Sequence, residues 1–310
     1  MRLPKLKNQY NQIRAGYLVI IDIGCIAVAL NVFALFHHVL PRKLSAQGDK
    51  ESYIAEQQSA VTSMENFTDK FTDGEVIQDD TTYKSGDISI AVNEVSKDNM
   101  RYYVADIYVK DITKIKTAFA KGTYGKAITD TVLNMAEENG ALLAANGDYY
   151  GTGETGVVIR NGVLYRGDAD EDVCVLFKDG TMKIYHKDSF DSDTVMAQGA
   201  WQAWSFGPSL LSDSGEAVSN FTSRISRNNP RTALGYYEPG HYCLVLVDGR
   251  QADTNGATLA ELSSIMKNLG CTVAYNLDGG QSSTMTFGNG IVNSPVNGGR
   301  KVSDIIYIGE

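Results

Sequence analysis

The sequence TVAYNLDGGQSSTMTF at residues 272–287 joins two strand-like segments through a polar turn that is rich in glycine. Residues 272–275 have strand composition, and apolar residues alternate with polar ones again from Met285, so the pattern places Asp278 at a strand end. The adjacent glycines allow positive φ angles and close approach of a ligand, and the hydroxyls that follow supply hydrogen-bond donors. The turn is either an active-site loop around Asp278 or a hairpin turn with a solvated aspartate, because Asp-Gly is also a strong hairpin signal.

The composition of the 310-residue chain is that of an ordinary globular protein, with 43% hydrophobic and 21% charged residues. Its net charge of −9 argues against a general nucleic-acid binder, because no basic cluster outside the N-terminus would attract phosphate backbones. We therefore expect no nucleic-acid partner.

The cysteines and histidines are few and scattered. Cys174, Cys243 and Cys271 lack C-x-x-C spacing, so the sequence predicts neither a zinc site nor a disulfide framework. We expect no cofactor. A divalent cation held by carboxylates stays open, with unknown ligands, because oxygen-only sites leave no sharp sequence signature.

An apolar run at residues 17–40, interrupted by Asp22 and Asn31, is long enough to cross a bilayer as a helix. The residues before it, 1–16, are basic and place the N-terminus in the cytoplasm by the positive-inside rule. We therefore expect a single-pass protein of the cell membrane with its catalytic domain outside the cytoplasm. The alternative is a cleaved signal peptide, although the run exceeds the usual apolar region of about 7–15 residues.

After the apolar run, residues 41–83 are polar and acidic, which predicts a stalk or linker. Residues 84–310 then alternate short strand patterns with turns and a few helical patterns. The clearest helix begins at Thr258, which forms a capping box with Glu261, and ends before Gly270. The sequence thus predicts an α+β fold, a single mixed-sheet domain with packed helices, preceded by the membrane helix and the acidic stalk.

Polar residues and glycine follow three predicted strands, and a fourth polar element precedes another strand. These elements are Asn146-Gly147-Asp148, Asp248-Gly249-Arg250, Asn276-Leu277-Asp278-Gly279-Gly280 and Asn229-Pro230-Arg231-Thr232. Catalytic groups often lie at such termini of a rigid scaffold. Arginine forks match phosphate oxygens, whereas a carboxylate can act as nucleophile or base at a sugar carbon. The alternative interpretation is that Asp248 and Asp278 are turn formers and that Arg231 is a surface cation.

An ordered series of motifs across roughly residues 84–310 resembles the phosphodiester glycosidase family. The series comprises Asn146-Gly147-Asp148-Tyr149-Tyr150, Gly156-Val157-Val158-Ile159-Arg160-Asn161-Gly162, Ser205-Phe206-Gly207-Pro208, Pro230-Arg231-Thr232-Ala233-Leu234-Gly235, Asp248-Gly249-Arg250 and Asn276-Leu277-Asp278-Gly279-Gly280. Two positions depart from the family pattern: Gln281 stands where a third glycine is commoner, and Asp148 replaces a glycine before two aromatic residues. The resemblance implies cleavage of a sugar-1-phosphodiester, with the sugar and the alcohol undetermined.

The reaction that the resemblance implies assigns roles to these residues. Asp278 is the candidate nucleophile or base near the anomeric carbon, with Asp248 or Asp148 as its partner. The candidate substrate-binding residues line the same loops: Arg231, Arg250, Asn146, Asn276, Gly279, Gly280, Ser282, Ser283 and Thr284. The arginines would stabilise phosphate charge.

The leading hypothesis is an extracytoplasmic hydrolase of glycosyl-phosphate linkages in cell-surface or exopolysaccharide material. A non-catalytic carbohydrate-binding protein on the same fold is the alternative, and sugar transfer to an acceptor also stays open.

Overall fold

A computed structural model describes residues 67–310, together with Val28 and the backbone of Arg42–Lys43. Apart from those positions, the predicted membrane segment at 17–40 and the first part of the predicted stalk, 41–66, lie outside the described residues. Within the described part of the chain, no helix combines the length and the apolar character needed to span a membrane.

Residues 67–310 form three antiparallel sheets, of seven, five and five strands, and three α-helices. Numbered in chain order, the strands of these sheets are β1 (Ile77–Gln78), β2 (Thr82–Lys84), β3 (Ile88–Lys97), β4 (Met100–Val109), β5 (Ile115–Phe119), β6 (Leu143–Asn146), β7 (Val158–Arg160), β8 (Val163–Arg166), β9 (Val173–Phe177), β10 (Met182–Tyr185), β11 (Ala200–Trp204), β12 (Arg231–Glu238), β13 (His241–Val247), β14 (Val273–Asn276), β15 (Met285–Phe287), β16 (Gly290–Ile291) and β17 (Asp304–Ile308). The helices are α1 (Val132–Glu138), α2 (Ser192–Ala197) and α3 (Leu259–Asn268).

The seven-stranded sheet has the order β14-β12-β13-β4-β3-β2-β1. Its longest pair is the β3–β4 hairpin, which runs in register from Ile88 opposite Val109 to Lys97 opposite Met100. The turn uses Asp98 and Asn99 at positive φ angles of 51° and 59°, a conformation that these residue types adopt more readily than most. Strands β1 and β2 lie at the edge of the sheet opposite β14. Apart from Lys84, their residues belong to the stalk predicted at residues 41–83.

The two five-stranded sheets have the orders β16-β15-β6-β17-β5 and β8-β7-β11-β9-β10. In the second sheet, β9 and β10 form a hairpin around Asp179 and Gly180, and Gly180 takes a φ of 82°. The predicted helix after Thr258 is confirmed as α3, with the capping box to Glu261 formed and Gly270 at a φ of 87° beyond its end.

The three sheets share one hydrophobic core, and each has a helix on its other face. Strand β13 shows the arrangement most clearly: Leu244 and Leu246 belong to the shared core, whereas Cys243 and Val245 belong to the cluster that includes α3. Burial on both faces explains the uninterrupted apolar run of this strand. Helices α1 and α2 cover the outer faces of the two smaller sheets in the same way.

The predicted α+β fold with a single mixed sheet is wrong. The described residues are mostly β-structure, the strand pairs of the three sheets are antiparallel, and the helices span only seven, six and ten residues. The helical sequence patterns do form helices, but each helix is short and covers one face of a sheet. The sheet a strand joins, and its direction there, depend on long-range pairing that local patterns do not contain.

Candidate active site

Strand ends from two sheets meet at one place. β6 ends at Asn146 in a five-stranded sheet, and β14 ends at Asn276 in the seven-stranded sheet. The side chain of Asn146 links them, because its Nδ2 donates to the carbonyl of Asp278 at 2.7 Å. Its Oδ1 accepts from the Thr232 hydroxyl at 2.8 Å. The loops after these strands therefore lie side by side, although they are far apart in the sequence.

Further buried hydroxyls fix the same junction. The Oγ atoms of Ser283 and Thr232 lie 3.2 Å apart, and the backbone N–H of Thr284 donates to Asn146 at 3.4 Å. Both Ser283 and Thr284 are buried. Their contacts order the loop rather than present hydroxyls to solvent.

The Asp278 carboxylate lies in the centre of this loop and is 6% exposed. Its Oδ1 accepts from the Gly279 N–H at 2.9 Å, and its Oδ2 accepts from the Ser282 hydroxyl at 2.5 Å. Burial raises the pKa of Asp278, and the hydrogen bond from Ser282 and the charge of Arg300 act in the opposite direction. The carboxylate is thus buried but supported in its ionised form.

Arg300 supplies the cation beside Asp278, and the sequence analysis did not select it. Its Nη2 donates to Oδ2 of Asp278 at 2.6 Å, and its Nε donates to Ser282 at 2.5 Å. The guanidinium lies 4.3 Å from the ring centre of Tyr149, and 38% of the side chain is exposed. The available signal was the Gly298-Gly299 pair before it, which mirrors the glycine pair after Asp278.

Arg250 is a second cation next to this loop. It is exposed, takes a φ of 56°, and donates from Nη2 to Oδ1 of Asn229 at 2.5 Å. A Cβ at Gly280 would lie 3.5 Å from the same Nη2. Because Gly280 has no side chain and a φ of 64°, the guanidinium can lie against the loop backbone.

The backbone next to Arg231 contacts the loop, but the Arg231 guanidinium is buried and bonds to backbone carbonyls. The preceding residue, Pro230, accepts from the Gly280 N–H at 2.9 Å. The Arg231 side chain is buried and donates to the carbonyls of Ala257, Ile225 and Arg227. Burial and the charge of Arg250 lower its pKa to about 10. These hydrogen bonds hold the segments that contain Ile225, Arg227 and Ala257 together next to the loop.

Asp248 is buried in a network at the end of β13. Arg101 donates to its Oδ2 at 3.1 Å, and Asn293 donates to its Oδ1 at 2.9 Å. The same Asn293 amide also donates to the carbonyl of Ser283 at 3.1 Å. Asp248 therefore contacts the Asp278 loop through Asn293.

Asp148 belongs to a second buried network, around Arg160. The Arg160 Nη2 donates to Asp148 and to Asp304, each at 2.8 Å. The other oxygen of Asp148 accepts from the Ser205 N–H at 3.1 Å. Burial raises the pKa of Asp304 to about 7, although the charge of Arg160 opposes this shift. This network ties β6, β7 and β17 together.

Asn276 connects the site to the loop after β11. Its Nδ2 donates to the Gly207 carbonyl at 2.7 Å, and its N–H donates to the Pro208 carbonyl at 3.1 Å. Its buried Oδ1 accepts no hydrogen bond from any described residue. A buried acceptor without a donor is unusual, and it is a natural contact for a bound hydroxyl or water.

The structure thus brings one group of predicted residues to a common surface and places another group beneath it. Gly279, Gly280 and Arg250 form that surface with Arg300 and Tyr149, and the buried Asp278 carboxylate is bonded to Gly279 and Arg300. Asp248, Asp148, Arg231, Asn146, Ser283 and Thr284 are buried and hold its loops. Across residues 67–310, no three His, Cys, Asp or Glu side chains group closely enough to hold a metal ion.

A sequence model of the phosphodiester glycosidase family matches residues 139–309. The chain is 33% identical over 195 residues, 60% of its length, to the SPbeta prophage-derived uncharacterized protein YomE of Bacillus subtilis (strain 168). The aligned part spans only 30% of that relative's length.

Solved structures show a similar fold. The catalytic domain of zebrafish N-acetylglucosamine-1-phosphodiester alpha-N-acetylglucosaminidase, auto-inhibited by its pro-peptide, matches with a TM-score of 0.59 and 21% identity over 87% of this chain and 96% of that one. A hypothetical protein from Synechocystis matches with a TM-score of 0.54 and 15% identity over 72% of this chain and 62% of that one. At these identities, the two matches show likeness of fold alone.

Proposed function

Because this chain belongs to the phosphodiester glycosidase family, we propose that it hydrolyses a sugar-1-phosphodiester. The bond between the anomeric carbon and the bridging phosphate oxygen breaks, and water supplies the oxygen that stays on the sugar. The products are a free sugar and the phosphate monoester of the alcohol. The phosphate leaves as a stabilised anion, so the reaction needs little help from a general acid.

The Asp278 carboxylate is the observation that carries this proposal. An ionised carboxylate has about four acceptor positions, and the bonds from Gly279, Ser282 and Arg300 occupy three of them. One position stays open for the reacting water or the sugar. A fixed negative charge there stabilises the positive charge that develops at the anomeric carbon.

The phosphate is assigned to Arg300 and Arg250. Both guanidinium groups border the loop at residues 278–282, and both arginines are accessible to solvent. Their planar forks suit a phosphate diester, which offers two non-bridging oxygens. Arg231 was predicted for this role together with Arg250, but its guanidinium donates to the carbonyls of Ala257, Ile225 and Arg227, and we assign it to holding the loop.

We also propose that the reaction takes place outside the cytoplasm, on glycosyl-phosphate linkages of cell-surface or exopolysaccharide material. The apolar run at 17–40 with basic residues before it supports a membrane anchor of this orientation. The net charge of −9 is consistent with a partner other than nucleic acid.

The test is product analysis with the full-length chain. A panel of sugar-1-phosphodiesters, including an N-acetylglucosamine ester, is incubated with wild type, Asp278→Asn and the exposed control Asp213→Asn. We expect free sugar and a phosphate monoester from wild type and the control. For Asp278→Asn we expect a rate at least about a hundredfold lower.

A folded wild-type protein that binds these esters and releases no product from any of them would contradict the proposal. That outcome would favour the carbohydrate-binding alternative. Appearance of a new glycoside when an acceptor sugar is added would indicate transfer in place of hydrolysis.

A further inference from the structure

Two buried thiols, those of Cys243 and Cys271, contact each other in the packing between the seven-stranded sheet and α3. Their Sγ atoms lie 3.7 Å apart, although the residues are 28 positions apart in the chain and form no sequence motif. Cys243 lies in β13, and Cys271 lies in the connection between α3 and β14. The third thiol of residues 67–310, that of Cys174, belongs to the shared core instead.

A glycine in the intervening strand makes room for both sulfur atoms. Gly235 lies in β12 directly opposite Cys243. A Cβ at Gly235 would lie 2.6 Å from the Cys243 Sγ and 2.7 Å from the Cys271 Sγ, so any side chain here would displace the two thiols. Glycine weakens a strand interior and often marks a close approach of other atoms. The close approach at this position is that of the two sulfur atoms.

The backbone around Cys271 is held on both sides of this space. The Cys271 N–H donates to the carbonyl of Met266 in α3 at 3.2 Å, and the Thr272 N–H donates to the carbonyl of Tyr236 in β12 at 2.8 Å. A disulfide has an S–S length of about 2.05 Å. The sulfur atoms therefore need to approach by about 1.7 Å, which is within the reach of side-chain rotation.

Cys271 is the thiol that reacts first. It is 4% exposed, whereas Cys243 is fully buried, and its neighbours Gly270 and Thr272 are exposed. The hydrogen bond from the Cys243 thiol lowers the pKa of Cys271; burial opposes this shift and Tyr237 reinforces it. The same hydrogen bond and burial raise the pKa of Cys243. The nucleophilic thiolate therefore forms more readily on the residue nearer the surface.

We propose that Cys243 and Cys271 form a disulfide when the protein meets a disulfide oxidant. The Cys271 thiolate attacks the S–S bond of the oxidant, forms a mixed disulfide and releases one oxidant thiol. The Cys243 sulfur then attacks the Cys271 sulfur and releases the second oxidant thiol. Two electrons pass from the cysteines to the oxidant, and the two protons of the cysteine thiols end on the two released thiols.

The link would span β12, because the sheet order at this edge is β14-β12-β13. Asp278 follows β14, and Asp248 follows β13, so the disulfide would join the strands that lead into the candidate active site. It would also restrict the unfolded chain and thereby stabilise the fold. Such bonds persist in oxidising compartments, which agrees with the location expected from the apolar run at 17–40. The link does not depend on the proposed hydrolysis.

The first test detects the bond directly. Full-length wild type, Cys174→Ala and Cys271→Ala are incubated with glutathione disulfide, then unfolded, alkylated and digested for mass spectrometry. We expect a cross-linked peptide pair containing Cys243 and Cys271 in wild type and in the control Cys174→Ala, and none in Cys271→Ala. Alkylation of both Cys243 and Cys271 in oxidised wild type, or a glutathione adduct that stays on Cys271, would overturn the proposal.

The second test measures what the bond does. The Tm of oxidised wild type is compared with that of wild type kept reduced throughout purification, and an increase of about 5–10 °C is expected from the 28-residue separation. For Cys271→Ala the two values should agree within about 1 °C. Because wild type alone supplies the main comparison, the test does not require the variant to fold. Equal Tm values for oxidised and reduced wild type would refute the stabilising link.

Discussion

Replacement of Arg300 by glutamine tests the assignment of the active site most sharply. The change removes two charge-assisted hydrogen bonds, to Asp278 and Ser282, and the contact with the Tyr149 ring. Such bonds contribute about 1.5–3 kcal/mol each when fully desolvated, but 38% of the Arg300 side chain is exposed. Solvent screening therefore limits the expected loss of folding stability to about 1 kcal/mol.

The expected loss of activity is larger. If Arg300 contacts the phosphate in the transition state, its removal should lower kcat/KM by about 10²–10³, or about 3–4 kcal/mol. Arg300 also opposes the rise that burial causes in the pKa of Asp278. Without this cation that pKa moves further upward. Because the reaction needs the ionised carboxylate, the acid limb of the pH profile should move to higher pH.

The assay is kcat/KM as a function of pH for wild type, Arg300→Gln and Lys301→Gln. Lys301 is exposed and adjacent, so its replacement makes the same change in net charge without the contacts. Urea unfolding of each protein measures the folded fraction. An acid limb that stays at the wild-type pH in a folded Arg300→Gln protein would refute the electrostatic coupling of Arg300 to Asp278.

Three further predictions concern the residues that hold the site. A Cβ at Gly147 would lie 2.4 Å from Oδ1 of Asp304, whose side chain is fixed by an ion pair, so Gly147→Ala should destabilise the fold by about 1–3 kcal/mol in urea. Gly290→Ala, where a Cβ meets nothing within 4 Å, should cost much less, and equal losses would contradict the argument. Because the pKa of Asp304 is raised to about 7, the folded protein binds a proton more tightly than the unfolded chain. Its stability should therefore fall as pH rises from about 4 to 7, by up to about 1.4 kcal/mol per unit. Asp304→Asn should remove this slope in urea titrations across that range, and a slope unchanged by the substitution would exclude Asp304 as its source. Arg231→Leu removes the guanidinium donor to the Ile225 and Arg227 carbonyls and one of two donors to the Ala257 carbonyl, so it should lower the free energy of unfolding by about 2–4 kcal/mol. Normal stability with lost activity would restore Arg231 as a phosphate ligand.

Local features of the fold followed from the sequence. The capping box of Thr258 with Glu261 depends on neighbouring residues, and it forms as expected. The pairing partners of each strand could not be predicted from the sequence. β13 pairs with β4, more than a hundred residues earlier in the chain, and no local pattern encodes that choice.

The candidate site was likewise predictable in its local features and not in its long-range contacts. Glycine and polar residues after apolar strands predicted the loops that meet, because such sequences favour bent, accessible backbone. The direction of a long side chain at a strand end was not predictable, and Arg231 turns inward to carbonyls that lie in separate segments. Arg300 was missed because its position beside Asp278 depends on the fold of the loop before β17.

The most direct test of the central claim is hydrolysis of a sugar-1-phosphodiester in water enriched in oxygen-18. Attack of water at the anomeric carbon leaves one heavy oxygen in the released sugar and none in the phosphate monoester, with the rate lost in Asp278→Asn and kept in Asp213→Asn. Heavy oxygen in the phosphate monoester would mean attack at phosphorus. That result would contradict the assignment of Asp278 to the anomeric carbon.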